Sequence, residues 1–330
     1  MQQVADILTL TRYIDQEYIA PIPVIQIGGK TVATDGNFIT ISGLPKSRKT
    51  TFAAYMVASA LSNRSVFDMN VCINQTDNIV FVDTEQSNHD FSRMIKNIKY
   101  ASGLKTLPSN FNAFLFRKYD PDQIFSAIDK IMLEYCPKIL FIDNLTELAL
   151  NPNDIPEAKN IIQKLKRITA EYNCVIVNLL HLAKNSLNTT GNLGSYADRA
   201  AQSTLKVVYD KDTGASTLDA TYMRSDGHFS PISIIYNEDL KTYEQTNQIP
   251  TETNTRKFKL DEISEDDHKV RISLIFESID FYSYSDLIEQ IKIMYGVGTN
   301  IAKQKILPLL LSMQLVINNK GVYQKNKKVC

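Results

Sequence analysis

The sequence lacks the features that mark secreted and metal-rich proteins. It has only four cysteines, and they show neither C-x-x-C nor cysteine–histidine spacing, which disfavours a disulfide framework and a metal site. Three of them lie beside apolar, strand-like segments, where we expect small, buried hydrophobic side chains. The four are Cys72, Cys136, Cys174 and Cys330.

Long hydrophobic runs and a net charge are also missing. No apolar run reaches 18 residues, and Met1–Leu10 carries Asp6 without a basic region or cleavage site, so we expect a soluble, cytoplasmic protein without a signal peptide or membrane span. The 36 basic and 36 acidic residues cancel, which disfavours nonspecific nucleic-acid binding by the whole surface and leaves room for a local basic patch. With 330 residues, 44% of them hydrophobic, the chain is long enough for a core domain and a small accessory domain.

The most informative segment is a phosphate-binding pattern near the N-terminus. An apolar strand from residue 38 leads through a short loop ending in Lys49-Thr50 into an apolar helix over 52–61. Backbone N–H groups at such a helix start face an anion, so Lys49 is expected to reach the β and γ phosphates of ATP and Thr50 to bind Mg²⁺. The predicted phosphate-binding residues are Gly43, Leu44, Pro45, Lys46, Ser47, Arg48, Lys49, Thr50 and Thr51.

One position departs from the pattern G-x-x-x-x-G-K-[ST], because Arg48 stands where the second glycine belongs. Its side chain is expected either to crowd the phosphates or to supply an additional phosphate contact. An ordinary strand, basic loop and helix with no bound phosphate is the alternative.

Acidic residues follow two other apolar segments. The strand over 78–82 ends in Asp83-Thr84-Glu85, where open α/β sheets bind ligands, and Glu85 is the candidate for polarising the water that attacks the γ phosphate. The alternative is a helix N-cap at Asp83 or Thr84 with Glu85 in the first turn. About ninety residues after the loop, four apolar residues precede Asp143, which is expected to organise Mg²⁺, with Asn144 near water or the metal.

The following segments complete an α/β pattern. The strand over 174–180 ends at His181, which is expected to sense the γ phosphate and to signal to the polar loop at 183–195; a structural histidine is the alternative. Short strands starting at residues 204, 216 and 229 are expected to extend the sheet in antiparallel fashion. Residues 1–37 are predicted to be an N-terminal extension with a helix over 6–18 and a hairpin near Gly28-Gly29.

The order of these motifs resembles the RecA-like ATPases, most closely the RepA-type hexameric helicase relatives of bacterial plasmids and mobilisable elements. The resemblance covers roughly 25–245 and implies a mostly parallel sheet with helices on both faces, ATP and Mg²⁺ as ligands, and a homo-oligomer such as a hexamer. It implies that Glu85 is the catalytic base. It also implies that Arg224, or less favourably Arg199, enters the ATP site of a neighbouring subunit.

The C-terminal part of the sequence predicts a second domain. Residues 244–257 form a polar linker, after which helices over 268–279, 285–295 and 299–314 precede a hairpin at 315–323. Three helices and a hairpin resemble a winged helix, which often contacts DNA. From Asp286 onward seven lysines face two acidic residues, which suits a phosphate backbone; a protein-docking winged helix is the alternative. The lysines are Lys292, Lys303, Lys305, Lys320, Lys325, Lys327 and Lys328.

The sequence thus predicts an α/β protein with an ATPase core at 38–243 and a winged-helix-like domain at 258–330. The leading hypothesis is an ATPase that acts on DNA, with replication or mobilisation proteins as partners. A noncatalytic ATP-dependent adaptor that docks DNA or a protein is the second hypothesis. A metabolic P-loop kinase is a third, disfavoured because no acceptor-binding lid is apparent.

Overall fold

The computed structural model describes residues 21–182, 191–247, 263, 265–276, 279–295, 297, 299–319 and 321–326. The predicted helix over 6–18 and most of the loop at 183–195 lie outside the described residues. The chain divides into two compact units, Met1–Pro250 and Thr251–Cys330.

A nine-stranded sheet forms the centre of the first unit. Six of its strands are β3 (Phe38–Gly43), β5 (Ile79–Asp83), β6 (Phe111–Leu115), β7 (Ile139–Asp143), β8 (Val175–His181) and β9 (Ser203–Tyr209). These six are neighbours and run parallel in the order β6-β5-β7-β8-β3-β9. In β3, β5, β7 and β8 the apolar side chains are buried on both faces, as the continuous hydrophobic runs in the sequence predict, whereas the residues of the edge strand β6 are only partly buried.

Helices cover both faces of this sheet. On one face α1 (Lys49–Ser62) and α2 (Asn88–Ser102) pack on the sheet, and on the other face α3 (Pro121–Tyr135), α4 (Ile155–Tyr172) and α5 (Gly191–Ala200) do so. A short 3₁₀ helix, Leu145–Leu148, follows β7. This arrangement confirms the predicted α/β fold, a mostly parallel sheet with helices on both faces, and it brings the carboxyl ends of β3, β5, β7 and β8 to one edge.

Antiparallel strands extend the sheet beyond β9, as predicted. The prediction is wrong for the strand that starts near residue 204, because β9 itself runs parallel to β3. The antiparallel strands are β10 (Ser216–Met223), β11 (Ile232–Asn237) and β12 (Thr242–Thr246). The predicted linker at 244–257 therefore starts too early, because the polar sequence of β12 is paired with β11 and stays in the sheet. The residues at 248–257 are outside the described part of the chain.

Part of the N-terminal segment that was predicted as an extension at 1–37 belongs to the core of the first unit. The predicted hairpin is present as β1 (Pro23–Ile27) and β2 (Lys30–Thr34), and β4 (Met69–Val71) completes a three-stranded sheet. Side chains of this hairpin, including Ile25 and Ile27, are fully buried in the same core as α1. Burial of these residues makes the hairpin part of the core.

The second unit contains the three predicted helical segments and the hairpin. They are α6 (Glu265–Ile275), α7 (Tyr284–Tyr295), then α8 (Thr299–Ile301), a π-helical segment (Ala302–Ile306) and α9 (Leu307–Ser312), followed by β14 (Val316–Asn319) and β15 (Val322–Lys325). A strand that was not predicted, β13 (Phe281–Ser283), pairs with β15. The core of this unit contains Ile272, Leu287, Ile291 and Leu310.

Two further findings concern the cysteines and membrane-spanning helices. Of the cysteines described, only Cys174 is buried, whereas Cys72 and Cys136 are exposed, so the expectation of buried thiols is wrong for these two. Among the described residues, no helix has the length and apolarity needed to cross a membrane.

Candidate active site

The phosphate-binding loop connects β3 to α1. Gly43 ends β3, and a Cβ there would lie 2.5 Å from Ser47 Oγ and 2.7 Å from the Val207 carbonyl oxygen, so only glycine fits. The backbone at Arg48 has a φ of 77° and lies in the left-handed region, which is the conformation that a glycine adopts readily. Arg48 makes no side-chain capping hydrogen bond to α1. The backbone N–H groups at the start of this helix are therefore available to an anion.

The Arg48 side chain is held by two tyrosines, one on β9 and one on β12. Its guanidinium donates a hydrogen bond to the Tyr243 hydroxyl on β12. It also lies 4.8 Å from the centroid of the Tyr243 ring and 5.2 Å from that of Tyr209, at the end of β9. In this conformation the guanidinium is engaged by tyrosines, although the sequence led us to expect phosphate crowding or a phosphate contact.

Lys49 is buried at the first position of α1. Its ammonium group donates to the carbonyl oxygens of Gly43 at 3.0 Å and Leu44 at 3.2 Å and lies 3.1 Å from His181 Nδ1. Burial lowers the pKa of Lys49 from 10.5 to about 8, against the opposing attraction of Asp143 and Glu85. These contacts hold the Lys49 ammonium group between the start of the phosphate-binding loop and His181.

Thr50 and Asp143 form the second part of the site. The Thr50 hydroxyl donates to Asp143 Oδ2 at 2.5 Å. Burial raises the pKa of Asp143 from 3.8 to about 7, and the negative charges of Asp83 and Glu85 add to this rise. A buried carboxylate that lacks a compensating cation is costly to ionise, and Mg²⁺ prefers such oxygen ligands.

These residues fit a magnesium ion shared with a nucleotide. Within the described ranges no group of three or more His, Cys, Asp or Glu side chains is arranged to hold a metal by itself. Mg²⁺ is commonly held by one or two protein oxygens together with substrate phosphates. Thr50 and Asp143 are the residues that would supply the protein oxygens, and the ion would neutralise phosphate charge.

Glu85 is fixed by two neighbours at the ends of other strands. Its carboxylate lies 3.1 and 3.2 Å from His181 Nε2 and accepts a hydrogen bond of 3.0 Å from Asn144 Nδ2. The hydrogen bond with His181 is the main cause that lowers the pKa of Glu85, so this carboxylate is ionised at neutral pH. The helix-cap alternative is wrong, because Ser87 caps α2 by accepting from the Asp90 amide at 3.2 Å.

His181 joins the two charged residues. One ring nitrogen contacts Lys49 and the other contacts Glu85, so the imidazole lies between a cation and an anion at the end of β8. The structure thus brings Lys49, Thr50, Glu85, Asp143 and His181 together at one edge of the sheet. Signalling from His181 to the following loop stays a prediction.

Two residues that support this site, Asp83 and Thr84, were not assigned a role there from the sequence. The Thr84 amide donates to the Asp143 carbonyl oxygen at 2.7 Å, and the Thr84 hydroxyl accepts from the Asn144 amide at 2.9 Å. Asp83 accepts from the amides of Glu85 at 2.9 Å and Gln86 at 2.8 Å. Their signal in the sequence was a cluster of polar residues directly after an apolar strand.

Arg224 lies apart from these residues. It follows β10, whose Met223 pairs with Ser203 at the start of β9, whereas the loop follows the end of β3. Arg224 is exposed and donates to the Arg199 carbonyl oxygen at 3.4 Å. Within one chain it is therefore at the edge of the sheet opposite the phosphate-binding loop, and its action in a neighbouring subunit stays a prediction.

Comparisons with known proteins identify the family of this chain. A solved structure of an ATPase domain matches with 14% identity and a TM-score of 0.49, covering 74% of this chain and 98% of the other. No curated protein matches the sequence. The model of the AAA domain family matches residues 9–186, more than half of the chain. Because this family model covers more than half of the chain, the chain belongs to the AAA domain family.

Proposed function

We propose that this protein binds and hydrolyses ATP in the presence of Mg²⁺ and uses the reaction on DNA, in replication or mobilisation of a mobile element. The observation that carries the proposal is the chain of contacts from Lys49 through His181 to Glu85, adjacent to the Thr50–Asp143 pair. The Lys49 end of this series of contacts suits a triphosphate, and the Glu85 end suits the water molecule that attacks it.

Each residue has a role in this reaction that follows from its surroundings. Lys49 neutralises charge that develops on the β and γ phosphate oxygens, and the amides at the start of α1 do the same from the backbone. Glu85 is ionised and oriented by Asn144 and His181, so it accepts the proton of the attacking water. The reaction breaks the bond between the γ phosphorus and its bridging oxygen and forms one to the water oxygen.

The C-terminal unit is proposed to contact DNA. Its order of helix, strand, two helices and hairpin supports a winged helix, and Lys303 and Lys305 are exposed on its third helical segment. We assign 258–330 to this domain and the residues between the end of β12 and residue 257 to the linker. We also assign Arg224 to the ATP site of a second copy in a homo-oligomer.

A noncatalytic adaptor is the second candidate. It is favoured by one observation, which is that Glu85 is already bonded to His181 and Asn144, leaving fewer positions on its carboxylate for water. Under that proposal ATP and Mg²⁺ bind without turnover and set the protein's contact with DNA or a partner.

The test is calorimetric titration with ATP in Mg²⁺ or in EDTA, together with phosphate release. We expect Mg²⁺-dependent binding, and Lys49→Ala should weaken binding or turnover at least about tenfold, equivalent to about 1.4 kcal/mol. Lys96→Ala, an exposed lysine on α2, is the matched control and should bind as the wild type does. Unchanged affinity and turnover in folded Lys49→Ala protein would exclude the phosphate-loop assignment.

A further inference from the structure

The unusual feature of the loop is an arginine in a conformation that suits glycine. Arg48 has a φ of 77°, and the left-handed region is unfavourable for a residue with a Cβ. An arginine at this position therefore needs contacts that compensate for the strained backbone. The same side chain must also avoid the space that the pattern reserves for phosphates.

Tyr243 supplies such contacts and is itself firmly placed. Its hydroxyl accepts from the guanidinium, and its ring faces the same group at 4.8 Å. The Tyr243 ring lies 5.1 Å from that of Tyr236 on β11, and its backbone amide donates to the Tyr55 hydroxyl at 3.4 Å. Tyr55 is a fully buried residue of α1, so β12 is attached both to the loop and to the helix that follows it.

Tyr209 contacts the guanidinium as a second ring. Its centroid is 5.2 Å from the Arg48 guanidinium carbon, and it ends β9, the strand next to β3. Arginine stacks on aromatic rings more readily than lysine does, and cation–π contacts strengthen where water is limited. The guanidinium thus has a hydrogen bond and two aromatic contacts on strands β9 and β12.

We propose that Arg48 is a positioning residue that, together with Tyr243, replaces the second glycine of the phosphate-binding loop. The pair holds the loop backbone in the left-handed conformation and keeps the guanidinium at the tyrosines, away from the phosphates. This inference rests on the proposed function, since the loop is positioned for a nucleotide.

The first test compares three residues at one position. Arg48→Ala keeps a Cβ in the left-handed region but removes the tyrosine contacts, so affinity for ATP with Mg²⁺ should fall about five- to tenfold. Arg48→Gly removes the strain as well and should bind within about twofold of the wild type. Equal affinity for Arg48→Ala and the wild type, or equal losses for both variants, would overturn the proposal.

The second test asks whether Tyr243 acts through Arg48. Tyr243→Phe should weaken ATP binding about threefold in the wild-type background and have no effect when combined with Arg48→Gly. Tyr222→Phe, an exposed tyrosine on β10, is the control. A Tyr243→Phe effect of the same size in both backgrounds would show that Tyr243 affects ATP binding without acting through Arg48.

A measurement without nucleotide separates this proposal from the proposed function. The Ser47 amide donates to the Leu44 carbonyl oxygen at 3.1 Å within the loop, so its hydrogen exchange reports the loop conformation. Exchange at Ser47 should be several-fold faster in Arg48→Ala and Tyr243→Phe than in the wild type, and unchanged by Tyr243→Phe in the Arg48→Gly background. Absence of ATP binding by the wild type would contradict the proposed function, whereas unchanged exchange would contradict the Arg48–Tyr243 role.

Discussion

Thr50 and Asp143 are joined by a hydrogen bond of 2.5 Å across the edge of the sheet, from the first turn of α1 to the last residue of β7. The hydroxyl donates and the carboxylate accepts, so the two oxygens that would bind Mg²⁺ are in direct contact. Among the causes that set the pKa of Asp143, only the Thr50 hydrogen bond and the Lys49 charge favour its ionised form. This environment has consequences for stability that are measurable in the nucleotide-free protein.

We expect Asp143→Asn to stabilise the nucleotide-free protein at pH 8. Folding raises the pKa of Asp143 from 3.8 to about 7, so between these values the native state binds a proton that the unfolded chain has released. The contribution of this group to the free energy of unfolding therefore falls as pH rises through that window and remains low above it. The gain at pH 8 should be on the order of 1 to 4 kcal/mol, shrinking toward pH 5.

Urea unfolding at pH 5 and pH 8 measures this difference. Asp129→Asn changes a half-exposed carboxylate paired with Lys164 at 2.9 Å and serves as the control, with no comparable pH-dependent gain. A constant difference between Asp143→Asn and the wild type at both pH values would contradict the assigned pKa.

Glu85→Gln should separate binding from turnover. The amide keeps the size of the side chain but cannot accept the proton of water, so ATP stays bound while turnover falls by roughly 10²-fold or more. Phosphate release and ATP titration measure the two quantities. Glu134→Gln, an exposed carboxylate on α3, should change turnover less than about threefold. A wild-type protein that binds ATP without turnover, with or without DNA, would support the adaptor.

Gly43→Ala tests the geometry of the loop entrance. The new methyl group would lie 2.7 Å from the backbone oxygen of Val207, a strand atom that cannot easily move. We expect a destabilisation of about 1 to 3 kcal/mol and at least a tenfold loss of ATP affinity. Gly227→Ala is the control, since a Cβ there meets no described atom within 4 Å. Normal stability and ATP binding in Gly43→Ala would contradict the close approach of Gly43 to the Val207 carbonyl oxygen.

Charge reversal at Lys303, Lys305 and Lys320 tests the C-terminal unit. If these lysines contact DNA phosphates, affinity at low salt should fall, and the slope of log affinity against log salt should flatten by roughly 0.9 per lost contact. ATP hydrolysis without DNA should persist, because the substitutions lie in a separate compact unit. Reversal of Lys96, Lys99 and Lys130, exposed on α2 and α3, makes the same change in charge and should leave the slope unchanged. Unchanged DNA binding in the triple variant would assign this unit to protein docking.

Much of the site was predictable because it lies at the ends of apolar strands. Lys49, Thr50, Glu85, Asp143 and His181 each follow a strand that the hydrophobic runs reveal, and parallel strands bring their carboxyl ends to one edge. The antiparallel strands β10 and β11 were predicted from short strand-like segments that follow one another closely in the chain. Polar strands were harder to predict: residues 244–246 of β12 were assigned to the linker because they lack apolar periodicity, yet they pair with β11 in an antiparallel hairpin.

The amino-acid sequence by itself determined the fold class, the loop and the acidic residues, because hydrophobic periodicity and short motifs are local. Only the tertiary structure decided which partners those residues have. It placed Arg48 between Tyr209 and Tyr243, joined His181 to both Lys49 and Glu85, and buried Asp143 so that its pKa rises to about 7. These outcomes depend on contacts between residues far apart in the chain and on the exclusion of water, which no local pattern encodes.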